Sequence, residues 1–517
     1  MKFWETLVGI ALLGTERQGV ERPTSEDPLL GLIAQLDPVQ PEHTVLSAAG
    51  AIALHRQAGQ RPSLNPQAAL PIPSEPEVWP PCQGPTVRHL ELVLSGAYSD
   101  LLPEMVQLMV QHGWRAPENT LPDLLEQGRN NSPLREELLH VVGKRGRWLA
   151  AQNPQWEYAA ADWSGLEANT LPPDLVQVWA ASNRTTRQML LRLWRSQAPN
   201  LAREHLAAHW GAEMARDRAK LLETLQVGLS PEDEGFLEAA LDDRSKDVRR
   251  VAADLLVRLP GSAFCHRMVE RGRSHLRLTL GGDRPQIAVT PPTACGPDLQ
   301  REGLDPKPPS GKGEKAWWLQ QLVGSLPLTF WSQSAPPVAI VSALLDHDWQ
   351  GPLLTGLALA AERQGSAAWA EALLTGAGDR LDATQTAGLA EVLPSDRREA
   401  WLMQRFESTP ASPDADNAHF LWAAQYRRDW SAGFSRQIIA RMAHYIQHVE
   451  HTHWEMRMTL PKFARFMAPD AEVIADALTL VTAAEGRSDG YWIEPMQNFV
   501  AMLQFRQEMH HAFGDRP

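Results

Sequence analysis

Two histidines one helical turn apart are the residues of this chain whose spacing comes nearest to a metal site. His444 and His448 stand at positions i and i+4 of the segment HYIQHVEHTHW, which continues with Glu450, His451 and His453. Two imidazoles at this spacing lie on one face of a helix and can share a zinc ion. The zinc-protease pattern needs a glutamate after the first histidine, and this chain has a tyrosine there. We therefore predict no metal site, and interpret the histidines as exposed or packed side chains at a helix end.

A glycine- and lysine-containing segment at residues 310–315, SGKGEK, has part of the pattern of a phosphate-binding loop. That loop needs G-x-x-x-x-G-K-[ST] between a strand and a helix. Pro306 stands where the first glycine would be, and Gly313 replaces the hydroxyl residue. The segment is therefore predicted to be a flexible linker, whose lysines could meet an acidic partner.

Sequence patterns of covalent catalysis are missing as well. The chain has no G-x-S-x-G motif, no cysteine with a plausible histidine partner, and no carboxylate pair that stands out by its spacing. We therefore assign no catalytic residue and no cofactor, and predict that the chain is not an enzyme.

One segment, KRGRWLAAQNPQW, combines cations with aromatic residues and supplies the candidate partner-binding residues Lys144, Arg145, Arg147, Trp148 and Trp156. Arginine together with tryptophan is typical of base stacking and of protein-binding hot spots. A repeat helix that packs its aromatic residues and extends its arginines to solvent uses the same residue types. We favour the packing interpretation and keep the binding interpretation as the alternative.

The charge balance favours a protein partner over a nucleic acid. The chain has 517 residues, a formal net charge of −13 and a pI near 5.7. Non-specific binding to nucleic acids comes from clustered cations that release counterions from the phosphates. The acidic balance disfavours nucleic acid as the main partner, although it leaves room for a local basic patch.

Cysteine usage and hydropathy indicate the compartment. The three cysteines, Cys82, Cys265 and Cys295, are far apart and have no C-x-x-C spacing, so neither a disulfide framework nor a zinc ribbon is expected. The apolar N-terminal segment has helical spacing, is interrupted by Glu5, and is predicted to be an amphipathic helix docked on the body rather than a signal peptide. No apolar run approaches the length of a membrane span. We expect a cytoplasmic protein without membrane contact.

The elements that would position these residues repeat along the chain. Arg187, Arg218 and Arg249 are spaced 31 residues apart, and each opens an apolar helix that ends near a proline. Second helices with their own apolar stripes lie between them, as in NLAREHLAAHWGAEM and PEDEGFLEAALDD. A fixed period of two helices per unit predicts an α-solenoid.

The unit at residues 241–260, LDDRSKDVRRVAADLLVRLP, resembles the HEAT-type repeat pattern D-x-x-V-R-x-x-A-x-x-x-L. The aspartate of that pattern is matched by Asp243 or Asp247, either of which could cap the helix. The resemblance implies that the aspartate and arginine serve the turn and the stacking of repeats. A structural role is therefore expected for Arg187, Arg218, Asp247 and Arg249.

Composition divides the chain into helical and irregular parts. The expected segments are an N-terminal helical cap at 1–59, a proline-rich linker at 60–86, a HEAT-like repeat arm at 87–280, an irregular linker at 281–315 and a C-terminal helical repeat arm at 316–517. The segment HLRLTL, just before the second linker, alternates like a short strand. The predicted fold class is all-α, an α-solenoid of HEAT-like helical hairpins in two arms joined by an irregular linker.

Several phrases together resemble a bacterial helical family whose members are encoded beside MoxR-type AAA+ ATPases, von Willebrand A-domain proteins and SWIM zinc-finger proteins. The phrases are ALLGTER, GKRGRWLAAQNPQW, GEKAWWLQQLVGSLPLTFW and WQGPLLTGLALAAERQ. The family has no established activity to carry over. The resemblance implies a component of an ATPase-linked assembly, with an AAA+ ATPase or a von Willebrand A-domain protein as partner.

Two functions from different classes follow. The first is a non-catalytic scaffold or adaptor that holds another protein on the concave face of a solenoid. The second is a nucleic-acid-binding protein similar to the HEAT-like alkylpurine DNA glycosylases. It would need the arginines of 135–147, 184–195 and 244–258 on one face, with an aspartate and a tryptophan at its centre. A third, a HEAT-like chromophore lyase, is selected by no sequence feature.

Overall fold

Helices form nearly all of the regular structure, in agreement with the predicted all-α class. The computed structural model describes residues 2–23, 27–37, 39–59, 72–160, 171–172, 174–281, 284–408, 413–424, 429–449 and 454–514. In these residues every helix is too short or too polar to cross a lipid bilayer. The chain divides into two compact units, Met1–Pro73 and Ser74–Pro517.

The first unit contains three helices: α1 (Lys2–Leu13), α2 (Pro28–Ile33) and α3 (Pro41–Gly59). Its small core holds Leu7 and Ile10 from α1, Ile33 from α2, and Val45, Ala48 and Ile52 from α3. The N-terminal segment is helical as predicted. α1 buries Leu7 and Ile10 against its neighbours, whereas Val8 and Leu12 are 40% and 82% exposed.

The first half of the second unit is a succession of short helices. Two of them begin at a proline, Pro85 and Pro199, which has no N–H to leave unpaired. They are α4 (Pro85–Leu94), α5 (Leu102–His112), α6 (Leu121–Asn130), α7 (Arg135–Val141), α8 (Gly143–Ala151), α9 (Leu175–Ala181), α10 (Arg184–Gln197), α11 (Pro199–His209), α12 (Ala215–Glu223), α13 (Glu234–Ala240), α14 (Lys246–Leu256) and α15 (Ala263–His275).

A β-hairpin separates these helices from the second half. Strand β1 (Leu276–Gly281) pairs antiparallel with β2 (Arg284–Val289), with Leu276 opposite Val289. The rest of the second unit comprises α16 (Pro297–Arg301), α17 (Glu314–Gly324), α18 (Thr329–Ser332), α19 (Pro337–Leu344), α20 (Gln350–Gln364), α21 (Ala367–Ala377), α22 (Ala383–Val392), α23 (Ser395–Ser408), α24 (Pro413–Ala423), α25 (Ala432–His448), α26 (Trp454–Phe466), α27 (Ala471–Glu485) and α28 (Ile493–Gly514).

Short 3₁₀ helices connect many of these elements. They span Ser99–Leu101, Glu118–Thr120, Ser132–Leu134, Pro154–Ala159, Trp210–Ala212, Thr224–Gln226, Pro231–Asp233 and Gly378–Arg380.

The segment 281–315 was predicted to be an irregular linker between two arms, but its described residues, 281 and 284–315, form an insert with regular elements. It contains β2 and α16, and it is bonded to the helices before it. Arg301 pairs with Asp242 at 2.6 Å, and buried Glu302 accepts a hydrogen bond of 2.8 Å from Arg267. These ion pairs hold the insert against α13 and α15, so the two halves of the second unit share one core.

The other predicted linker, 60–86, also differs from the expectation where it is described. Residues 74–86 belong to the second unit. Cys82 donates its backbone N–H to the carbonyl of Arg115 at 2.8 Å, and the ring of Trp79 stacks on His140. The proline-rich composition prevents a helix here, but these contacts still order the segment.

Most helices of the second unit pack on helices close to them in sequence, and the last helix packs on the first. α28, the last helix of this unit, lies against α4 and α5, its first two helices. The ring of Phe505 in α28 stacks on Tyr98 with centroids 4.0 Å apart, and Phe513 packs on Trp114 at 5.3 Å. The two ends of the second unit therefore meet through an aromatic contact.

Candidate interaction site

Two of the three evenly spaced arginines pair with carboxylates that lie just before a later helix. Arg187 in α10 donates to the carbonyl of Trp179 at 3.1 Å and pairs with Glu213 at 2.9 Å. Arg218 in α12 makes a bidentate pair with Asp243, at 2.9 and 3.0 Å. Arg187 thus joins α10 to the residues just before α12, and Arg218 joins α12 to the residues just before α14.

The third repeat arginine, Arg249, bonds to a different kind of partner. It donates to the carbonyl of Asp243 at 2.7 Å and to the carbonyl of Gln300, in the insert, at 3.0 Å. Asp247 is exposed and lies 3.7 Å from Arg250. Neither aspartate caps the start of α14 with its side chain, because Ser245 occupies the cap position and Asp243 accepts from the Ser245 N–H instead.

The cations of the basic and aromatic cluster are held by the chain's own carboxylates. Glu77 accepts the backbone N–H groups of Lys144 and Arg145, both at 2.8 Å, which places a negative charge at the N-terminus of α8 where the helix dipole favours it. The Lys144 ammonium pairs with Glu75 at 2.8 Å, and Arg145 pairs with Glu118 at 3.2 Å. These contacts order the segment before α4 on α8.

The remaining members of the cluster face the helices beside them. Arg147 is buried and donates to the carbonyl of Leu139 at 3.3 Å. Trp156 is half-buried and donates its indole N–H to Glu126 at 3.2 Å, and Trp148 is half-buried. The contacts favour a packing role for this cluster over a partner-binding role, and only Arg145, 51% exposed, extends into solvent.

Several of the arginines required by the nucleic-acid hypothesis are engaged with carboxylates of the chain itself. Arg195 is fully buried and makes a bidentate pair with Asp233 at 2.7 and 2.8 Å. Others are more exposed and are paired with carboxylates: Arg184 with Asp217, Arg192 with Glu136, and Arg250 with Asp247. Such pairing lowers the number of cations free to neutralise phosphates.

The structure describes two of the four clustered histidines and all three cysteines. The rings of His444 and His448 stack with centroids 4.2 Å apart, both exposed, whereas His451 and His453 lie outside the described residues. Where the chain is described, no group of three or more His, Cys, Asp or Glu side chains could hold a metal ion. Cys82, Cys265 and Cys295 are free and buried, and burial raises the pKa of each thiol, to about 11 for Cys82.

A cavity of about 880 Å³ lies where the two ends of the second unit meet. Its wall comes from elements distant in sequence: α5, the segment before α7, α7, the first residue of α23, Asp429, the end of α26, and α28. Glu104, Glu137, Asp429, Arg465 and His510 are the charged or titratable side chains that line it. Sequence reasoning missed this cavity, because its residues come together only through the return of α28 to α5.

Glu104 is the charged centre of the contact that closes the second unit. It accepts hydrogen bonds from Arg506 at 2.7 and 2.8 Å and from His510 at 2.7 Å. Burial alone would raise the pKa of Glu104, but the bonds from His510 and Arg506 outweigh it and hold the pKa below its usual value. Glu137, across the cavity, has its pKa raised by burial.

One face of α26 borders this cavity and two others. Phe463 and Phe466 on its inner side are buried, while Trp454 and Met458 on its outer side are 65% and 64% exposed. A cavity of about 770 Å³ lies along Met458, Pro461, Lys462 and Arg465, and another of about 530 Å³ begins at Arg457. We call Trp454, Arg457, Met458, Lys462 and Arg465 the α26 face.

The spacing of residues in the sequence indicates the α26 face, although it was not among the predicted binding residues. Trp454, Met458 and Lys462 recur every four residues in WEMRMTLPKFARF, which puts them on one side of a helix. The opposite side already supplies Met456, Leu460 and Phe463 to the core. Two large apolar residues therefore lie on the polar side of an amphipathic helix, which is a signal of an exposed binding surface. The signal was missed because the tryptophans of a tryptophan-rich helical chain are mostly expected in the core.

Comparison with known proteins gives a family without a described activity. No curated protein and no solved structure matches the chain. Residues 6–513 match the model of a family of unknown function, DUF5691. Because this match covers nearly the whole sequence, the chain belongs to that family.

Proposed function

We propose that this protein is a non-catalytic scaffold or adaptor that holds another protein, and that residues 74–517 are an α-solenoid of HEAT-like helical hairpins. Stacked hairpins offer long binding surfaces without needing a catalytic pocket. The observation that carries the proposal is the contrast between the evenly spaced arginines, which bond within the chain, and the large apolar side chains of α26, which are exposed. The evenly spaced arginines bond within the array, while Trp454 and Met458, the apolar residues of the α26 face, stay exposed beside large cavities.

The bonds between hairpins support a scaffold role because they make the helical array continuous. Arg187 and Arg218 each reach a carboxylate in the following hairpin, and Arg363 in α20 reaches Asp254 in α14 at 2.6 Å. The last of these pairs crosses the insert and joins the two halves of the array. A continuous array presents its side chains to a partner at set spacings, which lowers the entropy lost on binding.

The partner class comes from the resemblance of the sequence to the family encoded beside MoxR-type AAA+ ATPases. We propose such an ATPase, or a von Willebrand A-domain protein of the same assembly, as the partner. The chain's net charge of −13 favours a protein over a polyanion.

The alternative, a nucleic-acid-binding protein similar to the alkylpurine DNA glycosylases, has less support. Its arginines are engaged within the array, as Arg195 is with Asp233. An exposed tryptophan on a basic helix, Trp454 on α26, is the feature that still favours it, because such a side chain can stack on a base.

The proposal is tested by tagging the protein in its own host and purifying it after nuclease treatment, with mass spectrometry of the bound proteins. We expect stoichiometric recovery of an AAA+ ATPase or a von Willebrand A-domain protein. Recovery of nucleic acid alone from an untreated sample, with salt-dependent DNA binding by the purified chain, would refute the scaffold and favour the alternative.

A further inference from the structure

We infer that the α26 face binds an acidic amphipathic helix of the partner protein. This inference rests on the proposed function and names the surface and the chemistry of the contact. Two features of α26 carry it: large apolar side chains that the fold leaves exposed, and two cations beside them, Lys462 and Arg465, that form no ion pair within 4 Å among the described residues.

The apolar part of the face has the spacing of helix recognition. Trp454 and Met458 are one turn apart, and both project away from the core that Met456, Leu460 and Phe463 enter. An amphipathic helix laid in a groove is recognised through apolar anchors at i, i+3, i+4 and i+7. Tryptophan is enriched among residues that dominate binding energy, and methionine adapts its shape to different apolar partners.

The basic part of the face begins one turn further along the helix. Lys462 and Arg465 have no carboxylate within 4 Å in the described part of the chain, although Asp100 lines the same cavity and Glu137 lies near Arg465. Arg457, on the other edge, is only 3.8 Å from Glu494. In a chain with an excess of acidic residues, cations left without an ion pair beside exposed apolar side chains match a partner that carries carboxylates.

The shape of the surroundings suits a helix of about three turns. Trp454 and Arg465 are eleven residues apart, which is about 16 Å along the helix. Cavities of about 770 and 880 Å³ lie beside the second half of this length, and both are lined by Arg465 and Phe466. A partner helix crossing α26 could place apolar side chains on Trp454 and Met458, and carboxylates toward Lys462 and Arg465.

The test uses the full-length protein in its own host with p-benzoylphenylalanine in place of Trp454 or Met458. Irradiation followed by mass spectrometry identifies the crosslinked peptide of the partner. Two variants, Trp454→Ser/Met458→Ser and Lys462→Glu/Arg465→Glu, are compared with matched controls on other exposed positions, Leu201→Ser/Val338→Ser and Lys307→Glu/Lys315→Glu. Circular dichroism and thermal unfolding check that every variant is folded.

We expect the crosslinked peptide to be a helix with apolar residues on one side and Asp or Glu beside them. Both α26 variants should lose at least ~30-fold in partner affinity, as expected for hot-spot residues, and the controls less than ~3-fold. Changing the acidic residues of the crosslinked peptide to lysine should restore binding to Lys462→Glu/Arg465→Glu.

The outcomes separate this inference from the proposed function. If the wild-type protein recovers no stoichiometric protein partner, the scaffold proposal fails. If a partner is recovered but both α26 variants retain it, the scaffold stands and the α26 inference is overturned. Crosslinks only to a second copy of this chain or to nucleic acid would also overturn it.

Discussion

Replacing Arg506 by methionine is expected to loosen the contact of α28, the last helix, with α5 and with the end of α26. Arg506 is 1% exposed and donates four hydrogen bonds. Two go to the carboxylate of Glu104, at 2.7 and 2.8 Å, and two to the carbonyls of Ala464 and Met467, at 2.7 and 2.5 Å. Methionine keeps the apolar stem of the side chain but removes all four hydrogen bonds, so that of the two donors to Glu104 only His510 is left.

The expected cost follows from the burial of this pair. Removing one partner of a buried ion pair costs about 3–5 kcal/mol, because the other charge stays uncompensated. His510 still donates to Glu104 when it is protonated on that nitrogen, so we expect the lower end, about 3 kcal/mol. The control Arg436→Met removes exposed pairs with Glu472 and Asp476 and should cost under ~1 kcal/mol.

Amide hydrogen exchange in the native state measures this loss locally, since it reports the free energy of opening for each helix. Protection in α28, α4 and α5 should fall by roughly two orders of magnitude in Arg506→Met, because each 1.4 kcal/mol is a factor of ten. Protection in α12 and α13 should change little. Unchanged protection in α28, or an equal loss in Arg436→Met, would refute the reasoning that this pair closes the unit.

Three further outcomes are expected. The pKa of Glu104 is lowered in the folded state, so its contribution to stability is present above the usual carboxyl pKa of about 4.3 and is lost as the pH falls through the lower folded value. Glu104→Gln should therefore flatten the acid limb of the unfolding curve, and an unchanged limb would contradict the assignment. Burial raises the pKa of Glu362 to about 7, so the stability associated with its neutral form is present at low pH and lost as the pH rises through 7. Glu362→Gln should raise the free energy of unfolding at pH 8 by about 1–3 kcal/mol and leave it unchanged at pH 4, as chemical denaturation at both pH values would show. A Cβ on Gly356 would lie 2.6 Å from Cβ of Val323 and 2.7 Å from the carbonyl oxygen of Gln320, so Gly356→Ala should cost about 1–3 kcal/mol by overpacking α17 against α20. Gly351→Ala in the same helix meets nothing within 4 Å and should be neutral or slightly stabilising, and equal melting temperatures for the two variants would contradict this packing.

The helical class of the chain was predictable because it depends on local spacing. Apolar residues at 3.6-residue intervals predict α14, whose buried side includes Val248, Ala252 and Leu256. The alternation of HLRLTL indicated β1, which pairs with a strand the sequence had suggested was irregular. That second strand, RPQIAV, begins next to a proline and glycines, which lower the strand propensity of its neighbourhood.

The cavity beside Glu104 was not predictable, because it depends on contacts between residues far apart in sequence. Glu104 and Arg506 are separated by 402 residues, and no local pattern encodes a pairing at that distance. The cluster at Lys144 to Trp156 attracted attention through its composition, but acidic residues of the preceding segment, Glu75 and Glu77, engage it. Residue types alone could not distinguish these paired cations from Lys462 and Arg465, which form no ion pair within 4 Å in the part of the chain that the structure describes.

The central claim, that this chain holds another protein rather than a nucleic acid, is tested most directly by calorimetric titration of the purified protein. One titration uses the purified AAA+ ATPase or von Willebrand A-domain protein recovered from the host, and the other uses a DNA duplex containing an alkylated purine. We expect saturable binding of the partner protein at a fixed stoichiometry. We expect no heat of binding with the duplex at 150 mM salt, about physiological ionic strength. Saturable binding of the duplex, weakened steeply by salt, together with no binding of the protein, would contradict it.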